Sequence, residues 1–135
     1  LFPVSGQIWP EVKKLKSPKL VSMPKGLENT KWVASEQPVV RNLVLKCCDI
    51  LEQKEKTLNE IDAKIGDGDT GSTLANACRS LRQVLDQLPL KENAQFFLAI
   101  SEILSRSMGG SSGVLMAMMF SAAANEANAR ISNKF

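Results

Sequence analysis

The 135 residues include no histidine. That excludes Ser-His-Asp and Cys-His nucleophile arrangements within the chain, a histidine general base and a histidine-ligated metal. Any chemistry here falls to carboxylates, a metal ion, hydroxyls and backbone amides. Cysteine is scarce as well. Cys47, Cys48 and Cys78 form an odd, irregular set, two of them adjacent, which suits neither a disulfide framework nor a C-x-x-C site. A reducing, cytoplasmic setting is therefore expected, with the thiols as small core residues. There is no uninterrupted apolar stretch long enough to span a bilayer and no signal peptide, so no membrane is expected as a partner. Strands and internal repeats are also missing from the pattern.

What is there suffices for one domain with a real core: 44% of the residues are hydrophobic. The net charge of +3 is unevenly spread, with +4 in residues 1–32 and about −1 in the remainder. A basic stretch can touch nucleic acid, but this one carries Pro3, Pro10, Pro18 and Pro24 with little periodicity. It reads as a linker or strap, and no nucleic acid is expected. The start at Leu1 without a Met fits a piece of a longer protein.

After Pro38 the periodicity turns helical. Val40, Val44, Cys47 and Leu51, then Leu58, Ile61 and Ile65, predict one or two helices over 38–65. A helix over 71–88 would bury Leu74, Cys78, Leu81 and Leu85 before Pro89 stops it, and another over 92–108 would turn Phe97, Ile100 and Leu104 inward. A last helix from near Ser111 carries "VLMAMMFSAAA", apolar nearly all round, as expected for a helix in the middle of a bundle. Met116, Met118, Met119 and Phe120 are read as core. The fold class is all-α.

Two loops stand out. "IGDGDTGST", Ile65 to Thr73, matches G-x-G-x-x-G, but helical spacing precedes it where a dinucleotide fold needs a strand. It nearly makes a Walker A loop, without the lysine that neutralises phosphate. As a calcium loop it fails at the twelfth position, Cys78, where a bidentate Glu is needed. What remains is a glycine-softened loop with Asp67 and Asp69, and a third acid, Asp62, assigned to the apolar face of the preceding helix. An ionised carboxylate there is costly unless something positive holds it. Oxygen-only ligands favour Mg2+ or Ca2+ over zinc, and Mg2+ commonly shares its shell with phosphates. A plain Gly-Asp turn is the simpler alternative. The second loop, "SMGGSSGV", Ser107 to Val114, offers N–H groups and hydroxyls at a helix start, suited to an anion or to a serine cap. If the two helix starts meet, they form a polyphosphate cradle, which is most of what phosphoryl transfer requires.

On "LNEIDAKIGDGDTGSTLA", Leu58 to Ala75, and "MGGSSGVLMAMMFSAAA", Met108 to Ala124, the sequence resembles the nucleotide-binding L-type domain of the dihydroxyacetone kinase family. The combination D-x4-D-G-D-x-G followed by G-G-S-S-G is far more specific than either loop alone. The resemblance covers about 38–130, the first half or so of a family domain, and Thr70 is closer to the single-chain ATP-dependent kinases than to phosphotransferase-system subunits, which typically have His there. It implies a barrel of eight antiparallel helices, incomplete here. Asp62, Asp67 and Asp69 would hold a pair of Mg2+ ions bridging the ATP phosphates. Thr70, Gly71, Ser72 and Thr73 would contact the nucleotide, and Ser111 and Ser112 would bind phosphate.

The activity so implied is transfer of the γ-phosphate of ATP to dihydroxyacetone held by a separate K domain, in a homodimer of the full-length enzyme. Residues 1–37 would be the tail of that K domain plus the linker, and 38–135 the N-terminal portion of the L domain. The remaining helices are expected beyond Phe135. The family holds the sugar through a His that this chain lacks, so the chain alone is expected to be inactive. Alternatives are an ADP-cofactor subunit of a phosphotransferase system, a non-catalytic helical module retaining the motif, and an FAD-AMP lyase side activity. Apolar faces left by absent helices predict weak solubility or self-association.

Overall fold

The computed structural model describes residues 32–134, which form five α-helices, their connections and one isolated bridge. The expected linker and K-domain tail at residues 1–31 lie outside the described residues. Helix α1 spans Pro38–Gln53, α2 Glu55–Asp62, α3 Thr70–Val84, α4 Asn93–Ser107 and α5 Gly110–Ser132, with a short 3-10 turn at Leu85–Gln87. Pro38 opens α1 because its fixed φ suits the first helical turn and its missing N–H has no partner to lose there. Lys54, at φ −93° and ψ 3°, interrupts the helix and separates α1 from α2. The chain after Leu85 leaves the helix at an extended Leu88 before the buried Pro89.

Cross-contacts give the helix directions. Arg41 of α1 pairs with Asp86 after α3 at 2.7 Å, Cys48 sits against the Cys78 carbonyl, and Arg79 of α3 reaches Glu55 of α2 at 3.4 Å. Residue numbers rise on one side as they fall on the other, so α1 and α2 run antiparallel to α3. Arg82 adds pairs with Asp49 and Glu52. Ser101 Oγ donates to the Ala117 carbonyl at 2.7 Å, where α4 packs antiparallel to α5.

Burial holds the bundle together. Cys48, Ala77, Cys78, Leu81, Leu85, Phe96, Ala99, Ile100 and Leu104 form the core, closed by Leu88, Leu90 and Met108 from the connections. Exposed ion pairs contribute about 0–1 kcal/mol each, against roughly 1.5–3 kcal/mol for each large apolar side chain buried. The pairs therefore set register more than stability. An apolar cavity of about 240 Å³ is bordered by Leu74, Leu104 and Met116, which lie near the start of α3, the end of α4 and the start of α5.

Residues 32–37, assigned on sequence to the connecting segment, lie against the bundle. Ser35 donates its N–H to the Leu88 carbonyl at 3.2 Å and accepts from the Leu90 N–H at 3.1 Å, while its hydroxyl accepts from Lys91 N–H. Trp32 packs on the core.

Three sequence expectations need correction. Cys48, not Cys47, is the buried member of the pair. Ile61 and Ile65 are exposed, the latter at 97%, because α2 ends at Asp62 and turns Asn59 and Asp62, not an apolar stripe, toward α3 and the loop before it. Helix α5 is not enclosed: among the described residues only Gly113 and Ala124 of it are fully buried, and Met118 and Met119 face solvent because α4 covers one side alone.

Candidate metal-binding site

The loop between α2 and α3 is built around Asp62. One carboxylate oxygen, Oδ2, accepts from the N–H groups of Gly68 at 3.0 Å, Asp69 at 3.0 Å and Thr70 at 3.2 Å. Gly68 must be glycine for this, since it sits at φ +79°, in the left-handed region that side chains disfavour. The Thr70 N–H foremost, then the Thr70 hydroxyl and the Asp69 and Gly68 N–H groups, hold the Asp62 carboxyl below its usual range, outweighing desolvation. Half-buried Asp62 thus has its charge stabilised by the protein's own amides.

The second oxygen of Asp62 takes part in none of these bonds. Asp62, exposed Asp67 and exposed Asp69 offer carboxylate oxygens that all lie within 4.8 Å of one another. The cost of this crowding is visible at Asp69, whose pKa is raised first by the charge of Asp67, then by partial desolvation, a hydrogen bond with Asp67 and the charge of Asp62. A divalent cation would relieve that repulsion, and an all-oxygen donor set of carboxylates suits a hard ion such as Mg2+. The residues present therefore fit the ion. An open groove of about 700 Å³, bordered by Asn59, Asp67 and Gly68, adjoins the cluster.

The start of α3 is fixed by α2. Asn59 donates from Nδ2 to Ser72 Oγ at 2.9 Å and accepts the Ser72 N–H on Oδ1 at 3.1 Å. Gly71 is buried where α2 crosses, and a Cβ there would overlap the Glu55 carbonyl oxygen. With the Thr70 and Ser72 amides held by Asp62 and Asn59 and the Thr73 amide bonded to the Asp69 carbonyl, α3 is already capped. Of the two helix starts, that of α3 is thus largely bonded within the protein. At α5 the cap is Gly109, with no side-chain cap bond and open space around Gly109 and Gly110. Ser111 is exposed and Ser112 half-buried in its first turn.

The fold thus clusters Asp62, Asp67 and Asp69 and ties Thr70 to Asp62 and Ser72 to Asn59 by hydrogen bonds, with Gly71 and half-buried Thr73 on the same turn. No hydrogen bond among the described residues joins these residues to Ser111 or Ser112. Asn59 was missed on sequence. The available signal was its place three residues before Asp62, on the same helix face.

A helical bundle with clustered carboxylates at an α2–α3 glycine loop defines an all-α domain with a candidate oxygen-donor cation site. The chain belongs to the DAK2 domain family, whose model matches residues 64–134. It is 47% identical over 91 residues to the dihydroxyacetone kinase of Citrobacter freundii, covering 66% of this chain and 16% of that relative. It is 36% identical over 88 residues to the human triokinase/FMN cyclase, covering 64% and 15%. The crystal structure of the dihydroxyacetone kinase from C. freundii in complex with AMP-PNP and Mg2+ superposes with a TM-score of 0.71 at 42% identity, covering 78% of this chain and 20% of that one. The chain spans about a sixth of the length of the curated relatives it matches.

Proposed function

We propose that this chain is the Mg2+- and ATP-binding portion of a dihydroxyacetone kinase, which transfers the γ-phosphate of ATP to dihydroxyacetone held by a separate K domain in a cytoplasmic homodimer. The observation that carries this is the trio of carboxylates within 4.8 Å of one another, with Asp69 strained by its neighbours' charge. The neighbour with AMP-PNP and Mg2+ supports the choice of ligands. Asp62, Asp67 and Asp69 would hold the ions, two in number on the family resemblance. Bound there, Mg2+ would neutralise phosphate charge.

The chain's own residues do the rest. Asp62 ties the loop so that its free oxygen and the other two acids converge. Thr70, Gly71, Ser72 and Thr73 contact the nucleotide from the first turn of α3, and Ser111 and Ser112 take phosphate at the uncapped start of α5, where free N–H groups favour an anion. Without a histidine to hold the sugar, the chain alone does not phosphorylate dihydroxyacetone. The joint name of the human relative favours a second activity at this site, FAD cleavage with formation of cyclic FMN.

Calorimetric titration of ATP tests the proposal. Binding is expected with Mg2+ and abolished by EDTA, by Asp67→Ala and by Asp69→Ala. Binding that persists through all three would refute it.

A further inference from the structure

Ser72 differs from five other serines on these helices. The hydroxyls of Ser80, Ser101, Ser105, Ser107 and Ser132 each donate to a main-chain carbonyl. The Ser72 hydroxyl accepts instead, from Asn59 Nδ2 at 2.9 Å, and donates to no group among the described residues. Chemistry fixes the direction of this bond. A backbone N–H can only donate, so the Asn59 atom 3.1 Å from the Ser72 nitrogen is the carbonyl oxygen Oδ1. That leaves the amide nitrogen, a donor only, against Ser72 Oγ. A hydroxyl oxygen that receives an N–H directs its own proton elsewhere.

The position makes this consequential. Ser72 lies three residues after Asp69, half-buried in the first turn of α3. Asn59 and Asp62 stand one turn apart on α2, so one helix fixes both the carboxylate that organises the cation loop and the direction of the neighbouring hydroxyl. We infer that Asn59 is a positioning residue for the phosphate site: by gripping both the N–H and the Oγ of Ser72, it presents the Ser72 proton to a phosphate oxygen of the nucleotide. The inference rests on the nucleotide reading above and adds to it a residue that touches no ligand itself.

The test is a double-mutant cycle read by calorimetry of Mg·ATP, with thermal unfolding as the control for fold. Asn59→Asp keeps an acceptor for the Ser72 N–H, and a carboxylate is favourable beside a helix N-terminus, so the unfolding midpoint is expected to hold. The new carboxylate cannot donate and instead takes the Ser72 proton, reversing the bond. Asn59→Asp and Ser72→Ala are each expected to weaken binding about tenfold, the loss of one hydrogen bond to a charged group. Together they should weaken it no further than Ser72→Ala alone. Additive losses overturn the inference, because they assign the Asn59→Asp effect to its new charge. Unchanged affinity in a folded Asn59→Asp also overturns it. Should that variant not fold, Ser72→Ala decides alone, with unchanged affinity refuting the role and a tenfold loss supporting it. If the unsubstituted chain binds no Mg·ATP, the nucleotide reading falls and this inference with it; binding with additive losses removes this inference only.

Discussion

Adjacent thiols meet opposite environments. Cys47 is exposed on α1, while Cys48 is buried and its thiol faces the Cys78 carbonyl. Burial pushes Cys48 up and Cys78 up to about 12, so neither forms a reactive thiolate near neutral pH. A maleimide reagent is therefore expected to modify Cys47 alone in the folded chain and all three in denaturant, as mass spectrometry of the labelled peptides would reveal; native labelling of Cys78 would contradict its burial. The same shift links stability to pH. The unfolded thiol loses its proton near 9.0 and the folded one near 12, so stability falls as pH rises through that window. The sequence marked all three as small core residues, and heptad-like spacing picked Cys47 over its neighbour. One helical residue is a 100° rotation, and only the position of α3 decides which of two adjacent thiols it covers.

Packing between α2 and α3 is closer than side chains allow. Gly71 lies under the Glu55 carbonyl, a backbone atom with no rotamer to yield, so Gly71→Ala must separate the two helices. Forced overpacking of this kind costs about 1–3 kcal/mol, and a lower urea midpoint with weaker Mg2+ binding is the expected result; an unchanged midpoint would mean that α2 is loosely held. Element boundaries were legible because Pro38, Pro89 and the glycines at 109 and 110 are local signals. The covered face of α2 was not. Apolar periodicity assumes an apolar neighbour, whereas α2 meets a polar loop and the amide end of α3, and so exposes Ile61 while burying part of Asn59 and Asp62. The three aspartates could be read from their crowding around a glycine loop. Asn59 offered only its place one turn before Asp62, a weak mark until Ser72 is placed opposite it.

Among the described residues as a whole, one side of the bundle is covered and the other is not. Helix α5 turns Gly113, Met116, Phe120 and Ala124 inward at helical spacing and leaves Leu115 at 65% and Met118 at 63% exposed. Val39 and Leu43 of α1 are also exposed, and apolar surface of this kind favours association where it is contiguous. Concentration-dependent association is expected in sedimentation velocity, reduced by Leu115→Gln with Met118→Gln; a single monomeric species throughout would remove the idea. The strap at Ser35 has a consequence in time. Its hydroxyl meets the Lys91 amide 56 residues along the chain, whereas Asn59 and Ser72 are 13 apart and Ser101 and Ala117 are 16 apart. Closing the longer loop costs more entropy, so the helical hairpins are expected to form before the strap latches onto them.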